Sequence, residues 1–146
     1  GIHRRFEYHI RTERCVFIDD YAHHPAELKA VIQTARDLYP RKKLTVVFQP
    51  HLYTRTRDFA AEFRKSLRVA DELILLEIYP ARELAIPGVK SSLLLEKIQN
   101  SNKLLLKKEE LIAYLKEQKL EVLMTLGAGD IDIFVPQIEE LLGVND

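Results

Sequence analysis

The sequence predicts an α/β fold built on an open, mostly parallel sheet with helices on both faces. Three observations carry this. The β-type runs, such as KLTVVFQ, ELILLEIY and LEVLMTL, are mostly continuous in apolar residues rather than alternating, as in strands covered on both sides. These runs alternate with helical patterns along the whole chain, the succession that builds a parallel sheet. The chain has 146 residues, enough for one ordinary domain with a real core, and shows no repeat, low-complexity tract or internal linker, so residues 1–146 read as a single domain.

The elements follow in order. RRFEYHI and CVFIDD are short β-branched or aromatic runs separated by the charged RTER, and they pair as an N-terminal hairpin or antiparallel edge strand. PAELKAVIQTARDLY is a helix, because Leu28, Val31, Ile32, Ala35 and Leu38 recur at spacings of three and four. Pro25 suits its first turn, where a missing N–H costs nothing, and Pro40 stops it. KLTVVFQ is a buried strand, QPHLYTRTRD a loop, and DFAAEFRKSLRVAD a helix with Phe59, Phe63 and Leu67 stacked at a spacing of four. ELILLEIY is a second buried strand, and PARELAIPGVK, with two prolines and a glycine, is a loop. SSLLLEKIQN is a short helix opened by a serine cap. KLLLK is a weak strand, KEELIAYLKEQ an amphipathic helix, LEVLMTL a strong strand and GAGD a tight turn. IDIFVPQIEELLG closes the chain as a helix bent at Pro136.

Composition narrows the function. Lys plus Arg and Asp plus Glu are 22 each, so the formal net charge is zero and no global basic field invites nucleic acid. The one cysteine, Cys15, cannot form an internal disulfide and precedes an apolar run, so it reads as a small core residue in a reducing, cytoplasmic setting. No apolar run approaches the roughly 20 residues of a membrane span. The opening GIHRRFEYHI has no signal-peptide core and no initiating methionine, and the chain is expected to be a fragment of a longer protein.

The chemically marked residues fall in loops after strands: Asp19 to His24, Gln49 to Arg57, Tyr79 to Glu83, and Gly127 to Asp130. In an open parallel sheet such loops share one edge, where ligands bind. Between His51 and Arg57 lie a histidine, a tyrosine and two arginines. The forks of Arg55 and Arg57 suit a carboxylate or phosphate, and a helix start behind them adds to the field. A solvated basic loop paired with acids such as Asp58 is the competing reading. GAGD brings backbone close to a partner, an anion on its N–H groups or simply its own tight turn. His23 and His24 are adjacent, with no second cluster at ligand spacing, so no metal site is expected; one is read as hydrogen-bonding a substrate and the other as packed or capping. There is no phosphate loop and no nucleophile elbow.

DDYAHHPAE, FQPHLYTRTRDF and LGAGDI together closely resemble the C-terminal domain of the Mur ligases, across essentially the whole chain. The pairing of the first two motifs is most similar to the members that add L-alanine to UDP-N-acetylmuramate. The ligase that recycles a murein peptide shares a motif like the first but not the second. The resemblance implies a Rossmann-like domain, with residues 1–14 as the linker and first strand arriving from a central ATPase domain. It implies an ATP-dependent, amide-bond-forming enzyme of bacterial peptidoglycan synthesis working through an acyl phosphate. Mg2+ would be held mainly by the central domain and the UDP group by an N-terminal one, so this chain alone is not expected to ligate.

By motif, Arg5 corresponds to an arginine near the ATP phosphates and Asp20 to an acid on the ribose. Tyr21 and His23 would lie near the amino acid, His51 and Arg55 around its carboxylate, with Arg57 able to contribute. His23 and Arg55 are the candidate catalytic groups. Two positions depart from the family's pattern: Leu52 stands where some members carry a second arginine, and Ala22 replaces a common glycine. The competing expectations are a free-standing nucleotide- or anion-binding module and a purely structural interaction domain.

Overall fold

The computed structural model describes residues 4–143. Six strands, β1 (Glu7–Arg11), β2 (Val16–Asp20), β3 (Leu44–Phe48), β4 (Glu72–Leu76), β5 (Lys103–Leu106) and β6 (Val122–Leu126), form one sheet in the order β1-β2-β6-β3-β4-β5. Among the described residues, only β1 runs antiparallel, as the expected edge hairpin with β2, with a register irregularity between Tyr8 and Ile10. The other neighbours are all parallel.

Strand alternation sorts the core into two layers. Ile18, Val46, Phe48, Leu73, Leu75 and Met124 pack against α1 (Pro25–Leu38), α3 (Ala60–Leu67) and α4 (Ser91–Lys97). Phe17, Val47, Ile74, Leu76 and Leu123 pack against α5 (Lys108–Lys116) and α6 (Val135–Gly143). Of the five apolar positions foreseen on the first helix, Leu28, Val31, Ile32 and Ala35 are buried, whereas Leu38, at the helix's C-terminal end, is exposed. A fully buried side chain of this size contributes about 1.5–3 kcal/mol, so the helix is held by its inner stripe more than by propensity. Cys15 is buried as a small core residue.

Several local expectations are corrected. No serine caps α4: its N-cap is Lys90, and the Ser91 hydroxyl donates to Leu76 O. Tyr53–Asp58, expected as loop, is a short helix, α2, separated from α3 only at Phe59. Pro136 does not bend a continuous helix. Residues Asp130–Phe134 form a 3₁₀ turn, and Pro136 lies in the first turn of α6, where its missing N–H removes no bond.

The register sets the position of the site. Asp20 and Phe48 both pair with Leu126, and Phe48 pairs with Leu75 on its other side. β2, β6, β3 and β4 therefore end at one level, and the four marked loops leave the same edge of the sheet. The ladder resumes briefly beyond that edge, where His51 bridges Tyr79 in parallel.

Candidate functional site

The loop after β2 holds itself together with its own acids. Asp20 Oδ2 accepts from Phe6 N at 2.6 Å and Oδ1 from Ala22 N at 2.8 Å. Burial raises the Asp20 carboxyl above its usual range, against these two bonds, and nearby Asp19 adds to the rise. Ala22 is buried in an ordinary backbone conformation, so the glycine common at this position is not needed here. Glu27, in the first turn of α1, accepts from the backbone N–H groups of His23 (3.2 Å) and His24 (3.0 Å). Burial pushes the Glu27 carboxyl up, but those two bonds and the adjacent rings bring it below its usual value. Polar atoms of His23, His24 and Glu27 lie within 4.8 Å of one another, yet Glu27 is already engaged in capping the helix.

Four rings line the edge from β2 to β4. Tyr21 and His23 have centroids 5.1 Å apart, His23 and His51 5.6 Å, and His51 stacks on Tyr79 at 5.7 Å with planes 18° apart. His24 lies 4.6 Å from His23. Arg55, one turn into α2, places Nη1 3.0 Å from His51 Nδ1. A guanidinium only donates, so this Nδ1 accepts and the His51 proton sits on Nε2. The reverse holds at His23: its Nδ1 is 2.9 Å from the Tyr21 carbonyl, which only accepts, so Nδ1 carries a proton and, in the neutral ring, Nε2 is the acceptor. Burial lowers the basicity of His51, and the charge of Arg55 lowers it further; His24 is lowered by the same two causes in the same order.

The structure therefore brings Tyr21, His23, His51 and Arg55 together. Arg5 and Asp20 lie on the α1 side of Tyr21, lining a cleft of about 400 Å³ with Phe6, Ala22 and Glu27. Arg57 is different. It is half exposed and its Nε pairs with Asp58 at 2.8 Å, the geometry of a solvated base beside its acid. Arg4, Arg5's neighbour, is the linker arginine that the fold itself uses: it forms an ion pair with fully buried Asp19 at 2.7 Å, and Asp19 also accepts from Thr125.

The glycine turn meets side chains. A Cβ on Gly129 would lie 2.5 Å from Gln49 Oε1 and 2.6 Å from Tyr79 Cγ, and Gly127 has φ +142°. Gln49 binds Asp130 (2.7 Å) and Ile131 N (3.1 Å), and Asp130 pairs with Lys108 at 2.6 Å. The turn is thus small so that Gln49 and Tyr79 fit, which seats Tyr79 against His51. Three residues had no role assigned from sequence: Gln49, Tyr79 and Glu83. Each sits in a loop marked by position, but its partner is distant in the chain, and local pattern gives no signal for that.

The chain matches the family described as Mur ligase, glutamate ligase domain, over residues 4–131. It is 54% identical over 142 residues to a UDP-N-acetylmuramate–L-alanine ligase of Flavobacterium psychrophilum, covering 97% of this chain and 32% of that protein. It is 53% identical to the ligase of the same name from Parabacteroides distasonis, covering 97% and 31%. The chain thus spans about a third of the length of these relatives. Among solved structures it resembles a UDP-N-acetylmuramate–alanine ligase of Thermotoga maritima, with a TM-score of 0.75 at 27% identity, covering 100% of this chain and 31% of that one. It shares its fold with a separately crystallised domain of a Haemophilus ducreyi muramate–peptide ligase, with a TM-score of 0.68 at 20% identity, covering 96% and 98%. With motifs, sheet order and relatives in agreement, the chain belongs to the Mur ligase family, as its C-terminal domain.

Proposed function

We propose that this chain is the C-terminal third of a bacterial ATP-dependent ligase that joins L-alanine to UDP-N-acetylmuramate, and that its strand-end edge receives the amino acid. The observation that carries the reading is the Arg55–His51 pair. The guanidinium of Arg55 and the Nε2–H of His51 together offer a cation and a neutral donor to one carboxylate, a match to the α-carboxylate of an amino acid. The names of relatives more than 50% identical support alanine as that amino acid.

His23 then faces the other end of the substrate. Its Nε2 lone pair takes one proton from the ammonium group, which frees the amine to attack the acyl phosphate carbonyl; the second amine proton leaves with the departing phosphate. Tyr21 closes the side of the pocket. Arg57, turned to Asp58, adds only longer-range charge. On the α1 side, each Asp20 oxygen keeps a lone pair beyond its backbone bond and accepts from the ribose hydroxyls of ATP. Exposed Arg5 lies beside it toward the phosphates. The phosphate-binding loop, Mg2+ and the site for the UDP group belong to the remaining two thirds of the enzyme. No helix among the described residues is long and apolar enough to cross a membrane. A reaction that consumes ATP and a UDP-linked substrate is proposed for the cytoplasm.

The test is Arg55→Ala in the full-length enzyme. Loss of a partly buried, two-point contact at the low end of the range for such pairs, about 2 kcal/mol, raises the KM for alanine roughly 30-fold and leaves the KM for ATP unchanged. Equal changes in both constants contradict the assignment.

A further inference from the structure

α2 is only six residues long, too short to be stable by itself, and it begins after a strained residue: Leu52 has φ 72° and ψ 137°, a region branched side chains avoid. Yet α2 carries Arg55. What holds its start is a carboxylate from the loop after β4. Glu83 Oε1 accepts from Tyr53 N at 2.6 Å and Thr54 N at 3.2 Å, and Oε2 accepts from Thr54 Oγ1 at 2.5 Å. The same two loops are tied by Tyr79 N to Pro50 O (2.8 Å) and Leu52 N to Tyr79 O (2.9 Å). The loop after β4 thus grips α2 on both sides of Leu52, one side fixing His51 and the other fixing the turn that carries Arg55.

We propose that Glu83 is a positioning residue for the amino-acid pocket: by holding the first turn of α2 it sets the place of Arg55 against His51. The inference rests on the reading that this pair takes the amino-acid carboxylate. The hydrogen bond from the Thr54 hydroxyl holds the Glu83 carboxyl below its usual value, so it stays ionised at neutral pH. Its charge faces His51 and opposes the lowering of that ring's basicity. Glu83 occupies the exposed amides of α2, so the substrate carboxylate is left to the side chains of Arg55 and His51.

The test uses the full-length enzyme with Glu83→Ala, Glu83→Gln, Thr54→Ala and Arg55→Ala. Glu83→Ala lets α2 shift and raises the KM for alanine roughly tenfold, the scale expected for a displacement of under 1 Å in a binding group, with the KM for ATP unchanged. Glu83→Gln keeps an oxygen for both amides and stays within roughly threefold of wild type, and Thr54→Ala falls between the two. A Glu83→Ala enzyme with unchanged KM for alanine overturns the inference, as does one with both constants raised alike, the mark of a purely structural cap. If Glu83→Ala does not fold, the Thr54→Ala comparison decides by the same criterion. If Arg55→Ala raises the alanine constant and neither Glu83→Ala nor Thr54→Ala does, the pocket reading stands and this inference alone fails. If Arg55→Ala has no effect, both fall.

Discussion

Gly129→Ala is a one-methyl change at the centre of the strand-end edge. Its φ of −85° is outside the left-handed region that favours glycine, so the contacts of the added methyl decide the outcome. The added Cβ does not fit. It would lie 2.5 Å from Gln49 Oε1, 2.6 Å from Tyr79 Cγ and 2.7 Å from Tyr79 Cβ, where carbon atoms normally approach to about 3.5–4.0 Å. Relief requires a shift of about 1 Å. Tyr79 Cβ cannot supply it easily, since the Tyr79 backbone is pinned by Pro50 and Leu52. Gln49 is almost fully buried, and moving it loosens its bonds to Asp130 and Ile131 N. Overpacking of this kind costs roughly 1–3 kcal/mol, and losing one of the Gln49 bonds adds about 1 kcal/mol. The melting temperature of the domain falls by about 4–16 °C on the scale of a 150-residue protein. Thermal unfolding followed by circular dichroism measures this directly. An unchanged midpoint refutes the claim that the turn is packed against Gln49 and Tyr79.

Two further predictions concern charge. Asp19→Ala strands Arg4 and frees Thr125; because the Arg4 side chain is 16% exposed, the loss sits near the low end for a broken buried pair, about 3 kcal/mol in urea unfolding. His51 and His24 both have folded-state basicities lowered by burial and by Arg55. The unfolded chain therefore binds more protons, so stability is full above the ordinary histidine value of about 6.5 and is lost as pH falls below it through the depressed folded values. NMR titration gives a His51 midpoint under 6.5, and a midpoint above it contradicts the burial of His51 beside Arg55.

Much of this was legible in the sequence, for identifiable reasons. Continuous apolar runs between helical patterns announce a doubly covered parallel sheet, and parallel strands necessarily release their following loops on one edge. That is why His23, His51 and Arg55 could be expected to meet before their distances were known. Strand order was not legible: β6 inserts between β2 and β3, a pairing of distant segments that no local pattern encodes. Thr-Arg-Thr-Arg has no apolar period, so local pattern gives no sign of α2. Its support comes from Glu83, about 30 residues away in the chain, and from the Thr56 hydroxyl bonded to Leu52 O. The positive φ of Leu52 is invisible in a residue that normally avoids it. The two readings of the basic loop divided between its arginines: Arg55 turns to His51, and Arg57 turns to Asp58.

A crystal structure of the full-length enzyme with ADP and UDP-N-acetylmuramoyl-L-alanine tests the central claim most directly. The account predicts the alanyl carboxylate within hydrogen-bonding distance of both Arg55 and His51 Nε2, with the ribose hydroxyls on Asp20. An alanyl group bound elsewhere, with the Arg55–His51 pair facing solvent, would contradict it.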